Sequence, residues 1–341
     1  MIFKFAIDPG FLETARQQKL EDSVFEQHEQ FLKMWCHYGA LVSDIQLETF
    51  LNSQVSGMHQ EIRKRWQEAI RQKNRFRRVE VNKVSKKPLW EVETSSDVEE
   101  LNEQVQTVFV DQRKRPTLQQ SWERDSEICS FQAPGRSNNL SVAQELDQVG
   151  ISPIQREDLW QKYFQPLAEI SQNVVIVDRY AVDNLIDFAD PSKVKDVGGG
   201  MNFLFKKLTQ LPSKITVKVI AAVLKRDGES SNYFPDLLDA RRKDLDSNVN
   251  PYDLGSIRKL TFCLLPNSVF RDEVHYRFIR FDKTYISTDK GVSVFDLNFT
   301  NSEVQRATLK RYIYPDNVCQ QAEKELDCQG AQNERNRIKF S

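Results

Sequence analysis

Asn173-Val174-Val175-Ile176-Val177-Asp178-Arg179-Tyr180 opens the part of the chain whose order of elements decides the fold. Its unbroken apolar run, closed by a charged pair, predicts a strand buried on both faces. Residues 214–223, which contain Ile215-Thr216-Val217-Lys218-Val219-Ile220, are rich in β-branched side chains and predict a second strand. Between them, Gly198-Gly199-Gly200 precedes a helical pattern over 201–211. Residues 225–259 are charged and read as helix with loops. Strands are predicted at 259–265, 275–281 and 283–288. A βαβαβ order closed by a hairpin implies an α/β domain with a mixed sheet.

Working outward toward the N-terminus, Met1-Ile2-Phe3-Lys4-Phe5-Ala6-Ile7-Asp8 reads as a first strand and Asp8-Pro9-Gly10 as a turn. Helical spacing of Phe25, Phe31, Leu32 and Trp35 predicts a helix within 11–38, ended by Gly39 as its cap. A second helix starts near Asp44. Residues 105–110 read as a strand, 112–140 as loop and linker, and a helix is expected from Ser152-Pro153. The expected class is α/β (α+β overall). A helical and mixed N-terminal part occupies 1–150, an α/β domain 151–328, and a polar tail 329–341.

Two segments of the N-terminal part stand out in charge. Residues 61–90 carry eleven Lys or Arg against three Glu, with Trp66 and Phe76 among them, and 91–103 carries six acids and no base. Two opposite faces pairing with each other would explain this. So would a basic groove with interleaved aromatics that holds a phosphate backbone, with Arg75, Arg77 and Arg78 at its centre.

The residues with the clearest chemistry are His275-Tyr276-Arg277-Phe278-Ile279-Arg280-Phe281-Asp282. On a strand, positions two apart face the same way, so His275 and Arg277 can address one phosphate, with the acid at the strand's end. An imidazole can attack phosphorus while a guanidinium neutralises the oxygens. The run resembles the HxK-x4-D motif of the phospholipase D superfamily, with Arg277 in the Lys position. It also resembles the degenerate phospholipase D-like domain at the C-terminus of MIT proteins. The Asp178-Arg179-Tyr180 strand end and the Gly291 and Ser293 that follow Asp282 agree with it. The resemblance covers roughly 170–300.

It implies a metal-free phosphodiesterase acting on nucleic acid, in a bacterial defence or mobile-element setting. His275 would be the nucleophile, Arg277 the phosphate clamp and Asp282 the orienting acid, with Asp178 and Arg179 along the same sheet edge as substrate-binding residues. Enzymes of this superfamily use two such motifs. One copy therefore implies a homodimer, or an assembly module, part of a multiprotein complex, that binds phosphate or a partner without turnover. A third reading places a PIN-like metal nuclease in the N-terminal part, which requires Asp8, Glu48 and Asp111 to converge on a cation.

The remaining features bound the setting. With 341 residues, 39% hydrophobic and 28% charged, the chain can fold as two domains. Its formal net charge of −1 gives no global steering toward nucleic acid, so attraction must be local. No apolar run approaches a membrane span or a signal peptide, and the expected location is the cytoplasm. Cys36, Cys129, Cys263, Cys319 and Cys328 form no CxxC pair and read as free thiols. His28, His37 and His59 have no partner at metal-ligand spacing, and no cofactor is implied. Gly198-Gly199-Gly200 could hold a phosphate at a helix start, although a loop explains it as well.

Overall fold

The computed structural model describes residues 2–10, 12, 22–72, 76–97, 101, 105–122, 125–145, 148–151, 155–187, 199–226, 228–249, 254–272, 277–296, 307–312, 318–331 and 333–340. The fold is α/β and forms two compact units, Met1–Leu146 and Asp147–Ser341.

The first unit is built on a five-stranded parallel sheet, here sheet A. Its strands are β1 (Phe3–Ile7), β2 (Gly39–Ser43), β3 (Arg77–Glu80), β4 (Thr107–Val110) and β5 (Glu127–Ser130), in the spatial order β3-β2-β1-β4-β5. Three helices, α1 (Asp22–Tyr38), α2 (Ile45–Ser56) and α3 (Gln60–Arg71), supply one layer. They close Phe5, Phe31, Trp35, Trp66, Phe109 and Phe131 into an aromatic core. The other face carries a smaller aliphatic core of Ala6, Val42, Val108 and Val110 beneath Val84, Leu89 and Leu118. Helices α4 (Arg115–Ser121) and α5 (Asn138–Glu145) complete the unit.

Three expectations for this unit need correction. Gly39 does not cap α1 but begins β2, where a side chain would strike the Phe5 ring, with Cε1 only 2.6 Å from the added carbon. Strand β3 lies inside the basic segment, and α4, β5 and the start of α5 lie inside the stretch read as loop and linker. Both strands have only four residues, too few to show a pattern, and both are edge strands of sheet A.

The second unit is an eight-stranded mixed sheet, sheet B, ordered β13-β9-β8-β7-β10-β11-β12-β6. The central parallel strands are β7 (Asn173–Val177), β8 (Ile215–Val223) and β9 (Ile257–Pro266). Antiparallel to β7 runs β10 (Phe278–Phe281), followed by β11 (Thr284–Thr288) and β12 (Ala307–Tyr312), with β6 (Gln148–Ile151) at that edge. The opposite edge is β13 (Arg337–Phe340), paired with β9. The expected polar tail is thus a strand in its last residues, because Ile338 and Phe340 find a buried place beside Phe262.

The helices of the second unit, in chain order, begin with α6 (Arg156–Leu159), a π turn at Trp160–Phe164, and α7 (Gln165–Ala168). They continue with α8 (Ala181–Asp187), α9 (Gly200–Thr209), α10 (Phe234–Asn248), α11 (Asn267–Asp272) and α12 (Val318–Ala331). One sheet face is sealed by α11 and α12 over Val175, Val177, Ile220 and Phe278. Arg280 on β10 grips Glu323 of α12 through two parallel bonds of 2.7 and 2.8 Å. The other face packs Phe164 against Phe281 and Phe295.

All five cysteines are unpaired, and all but Cys328 are buried. Among the described residues no helix is long and apolar enough to cross a membrane.

Candidate functional site

The carboxyl ends of β7, β8 and β9 form one edge of sheet B, where open α/β sheets present ligand sites. Because β10 is antiparallel to β7, its start lies at the same edge. The register Phe278↔Val177 sets Arg277 beside Asp178. Strand β11 ends there too, and its following turn, Lys290-Gly291-Val292, folds back over Asp178. The end of β7 therefore meets the β10–β11 hairpin, about a hundred residues further along the chain, at this edge.

Asp178 is the foundation of the meeting point and is only 1% exposed. One carboxylate oxygen accepts the Tyr180 backbone N–H at 2.9 Å and the other accepts that of Val292 at 2.7 Å. Burial pushes its carboxyl above the usual range, opposed by these two bonds and by the positive charge of Arg277. Gly291 has φ of 61°, and a Cβ there would overlap Asp178 Oδ2 and approach Arg277 Cδ to 2.8 Å. Only glycine lets this turn close over the buried acid.

Above the foundation sit the cations. Arg179 donates through Nε to Asn267 Oδ1 at 2.8 Å, which ties the end of β7 to the end of β9. Its guanidinium lies over the Tyr180 ring at 5.2 Å, and that of Arg277 lies over the same ring at 4.9 Å. Tyr180 is 37% exposed. The electron-rich ring attracts both guanidiniums, so two like charges lie about the same aromatic side chain. Among the described residues the Arg277 guanidinium has no hydrogen-bond partner. This pair of cations over an open ring can take an anion.

The residues singled out in the sequence divide sharply. His275 lies outside the described residues, as does Arg75. Arg277 and Arg179 are at the edge. Asp178 is there too, but buried beneath the site, with both oxygens committed to backbone N–H groups; it positions the site and does not reach a ligand. Asp282 is at the opposite end of β10, roughly 15 Å from Arg277 by strand rise. It occupies the hairpin turn with φ of 49°, and its carboxylate accepts the backbone N–H of Asn173 at 3.0 Å and of Gln172 at 3.2 Å. An extended strand between the two residues carries the acid away from the cation.

In the first unit Arg77 and Arg78, expected in a basic groove, are turned inward. Trp66 and Phe76 are core residues. Arg77 is buried and donates to the Cys36 carbonyl at 3.3 Å. Arg78, with its side chain 3% exposed, donates to the Ile70 carbonyl at 2.9 Å and pairs with Glu48 at 3.3 Å. These guanidiniums satisfy internal acceptors and present no surface. Lys87 pairs with Asp97 at 2.6 Å, which joins the basic and acidic segments.

Asp8 and Asp111 do become neighbours, at the ends of adjacent β1 and β4 where the direction of strand order reverses in sheet A. Burial raises the Asp8 carboxyl, while Lys114 at 3.1 Å holds it down. Asp111 is held low against its burial by Arg113, whose Nε donates at 3.0 Å. Glu48 is committed to Arg78. Among the described residues no group of three or more His, Cys, Asp or Glu is placed to hold a metal ion. Likewise, the start of α9 is already satisfied from within: Gly200 N–H donates to Asp296, and Met201 N–H to Asn184 Oδ1 at 2.7 Å. Gly198 lies outside the described residues.

Sequence reading missed Asn267, which follows a predicted strand, and gave Tyr180 no role. Attention to every residue just past a parallel strand would have marked both. Comparison of the chain with protein-family models and with curated proteins gave no match.

Proposed function

We propose that the carboxyl edge of sheet B is a phosphodiester-binding site of the phospholipase D type. What supports this most is the placement of Arg179 and Arg277 over one exposed ring, Tyr180. A guanidinium offers paired N–H donors that match phosphate oxygens, and two of them would offset the charge of a phosphodiester. In the catalytic form of the reading, an imidazole nitrogen of His275 attacks phosphorus and the bond to the leaving oxygen breaks. That oxygen takes up a proton, and water then releases the phosphoryl group from His275. No metal is required by this chemistry.

A second form, binding without turnover, is favoured by Asp282. The acid of the resembled motif is built into a turn at the far end of β10 and is spent on backbone N–H groups. The two forms separate in one experiment: hydrolysis of bis(p-nitrophenyl) phosphate by the full chain in chelator, for wild type, His275→Ala and Arg277→Ala. Turnover lost in both variants supports the catalytic form. Absence of turnover together with phosphate binding that Arg277→Ala removes supports the binding form. Phosphate binding that survives Arg277→Ala refutes the site.

A further inference from the structure

Tyr233 is 67% exposed, the most open aromatic ring among the described residues. It stands on the loop that leaves β8 and enters α10, and Tyr180 stands just past the neighbouring parallel strand β7. The two rings therefore rise from the same sheet edge.

The loop carrying Tyr233 is firmly braced. Arg241 of α10, 1% exposed, donates to the Leu224 carbonyl at 2.7 Å and to both oxygens of Glu229, at 2.7 and 3.0 Å. Arg226 N–H donates to Glu229 at 2.8 Å, and its guanidinium reaches Asp183 at 3.0 Å. Asp183 is three residues past Tyr180, so its carboxylate ties the loop to the helix that follows Tyr180. At the loop's end, Tyr233 N–H donates to Ser231 Oγ at 3.0 Å, and Ser231 donates to Asp236 at 2.7 Å. Among the described residues nothing stacks on the Tyr233 ring. A rigid scaffold that holds a large ring open to solvent suits a planar partner.

The geometry sets the scale. Helices α8 and α10 follow the parallel strands β7 and β8, and Arg241 Nε of α10 lies 3.5 Å from Asp183 of α8. Tyr233 lies eight residues before Arg241, about 12 Å up the α10 axis, and Tyr180 lies about one turn before Asp183. Among the described residues both guanidiniums lie over Tyr180 and none over Tyr233, so the open ring is a platform separate from the cations. Exposed Lys225 lies on the same loop. Cations that address a phosphate, with a separate aromatic platform beside them, match the way proteins hold unpaired bases. In a duplex the base faces are stacked on their neighbours and closed to such a ring.

We propose that this edge takes single-stranded nucleic acid, with a backbone phosphate held by Arg179 and Arg277 and an unpaired base stacked on Tyr233. The inference rests on the phosphate reading of the same site and adds the class of ligand. The test is fluorescence anisotropy of the full chain with a labelled thymidine decamer and with a duplex of equal length, with inorganic phosphate as competitor. The single strand is expected to bind more tightly than the duplex. Tyr233→Ala should weaken it roughly tenfold, and Tyr233→Phe should bind as wild type does, since stacking uses the ring and not the hydroxyl. Competition by phosphate should be the same in all three proteins. Equal affinity for single strand and duplex, or an unchanged affinity in Tyr233→Ala, overturns the inference while leaving phosphate binding intact. Absence of phosphate competition together with an unaffected Arg277→Ala overturns the phosphate reading itself.

Discussion

Gly291 lies so close to Asp178 that a Cβ on the glycine would overlap the Asp178 Oδ2 atom. The same oxygen accepts the N–H of Val292 at 2.7 Å, and the glycine has φ of 61°. Turn, buried acid and Arg277 are therefore one mechanical unit. In Gly291→Ala the strained backbone and the displaced carboxylate should cost about 2 kcal/mol or more of stability. Affinity for phosphate should fall as well, because Arg277 Cδ touches the same place. Chemical denaturation and phosphate titration on one sample check both; a variant with unchanged binding would detach Gly291 from the site.

Asp282 should behave as a structural residue. Asp282→Ala loses the bonds to Gln172 and Asn173 and leaves a side chain that disfavours the left-handed backbone. A loss of about 1–2 kcal/mol is expected, with ligand affinity unchanged. Asp282→Asn, which tolerates that backbone, should lose less. Abolished binding at wild-type stability would return Asp282 to the site.

Arg78 should matter for folding and not for nucleic acid. Its removal leaves Glu48 and the Ile70 carbonyl without their partner. Arg78→Ala is expected to destabilise the first unit by about 3 kcal/mol. In contrast, the slope of oligonucleotide affinity against salt should not change, since no phosphate contact is lost. Anisotropy at several salt concentrations, read beside a melting curve, separates the two effects.

His28 gives the first unit an acid-sensitive core. Its Nδ1 accepts the indole N–H of Trp66 at 3.1 Å, and burial lowers its pKa from 6.5 to about 4. Between those values the unfolded chain takes a proton that the folded chain refuses. Stability is full above pH 6.5 and is lost as pH falls toward 4, by about 3 kcal/mol at the end of that window. His28→Gln keeps an acceptor for Trp66 and should flatten stability against pH between those limits. An equal slope in wild type and variant would remove His28 as the cause.

Strands β7, β8, β9 and β11 were legible because they are long or strongly β-branched, β10 because apolar Phe278, Ile279 and Phe281 precede a turn, and the helix starting at Asp44 because the Asp44 side chain caps it by accepting Leu47 N–H at 2.8 Å. At the candidate site, Arg277, Arg179 and Gly291 could be marked from sequence. A strand fixes its own side-chain alternation, and a Gly after a strand signals an unusual turn.

The chain by itself determined an α/β class, a parallel run β7-β8-β9 and a cation at the start of β10, all of which follow from local pattern. Only tertiary structure decided which charges face water. Arg77 and Arg78 are chemically the same as Arg179 and Arg277, and they differ in what packs over them: helix carbonyls and Trp35 for Arg78, an open tyrosine for Arg277. Likewise β13 exists because β9 offers an unpaired edge, and Asp178 meets Gly291 because two turns distant in sequence close over one strand end. Such partners are set by long-range packing, and a local pattern of residues carries no record of them.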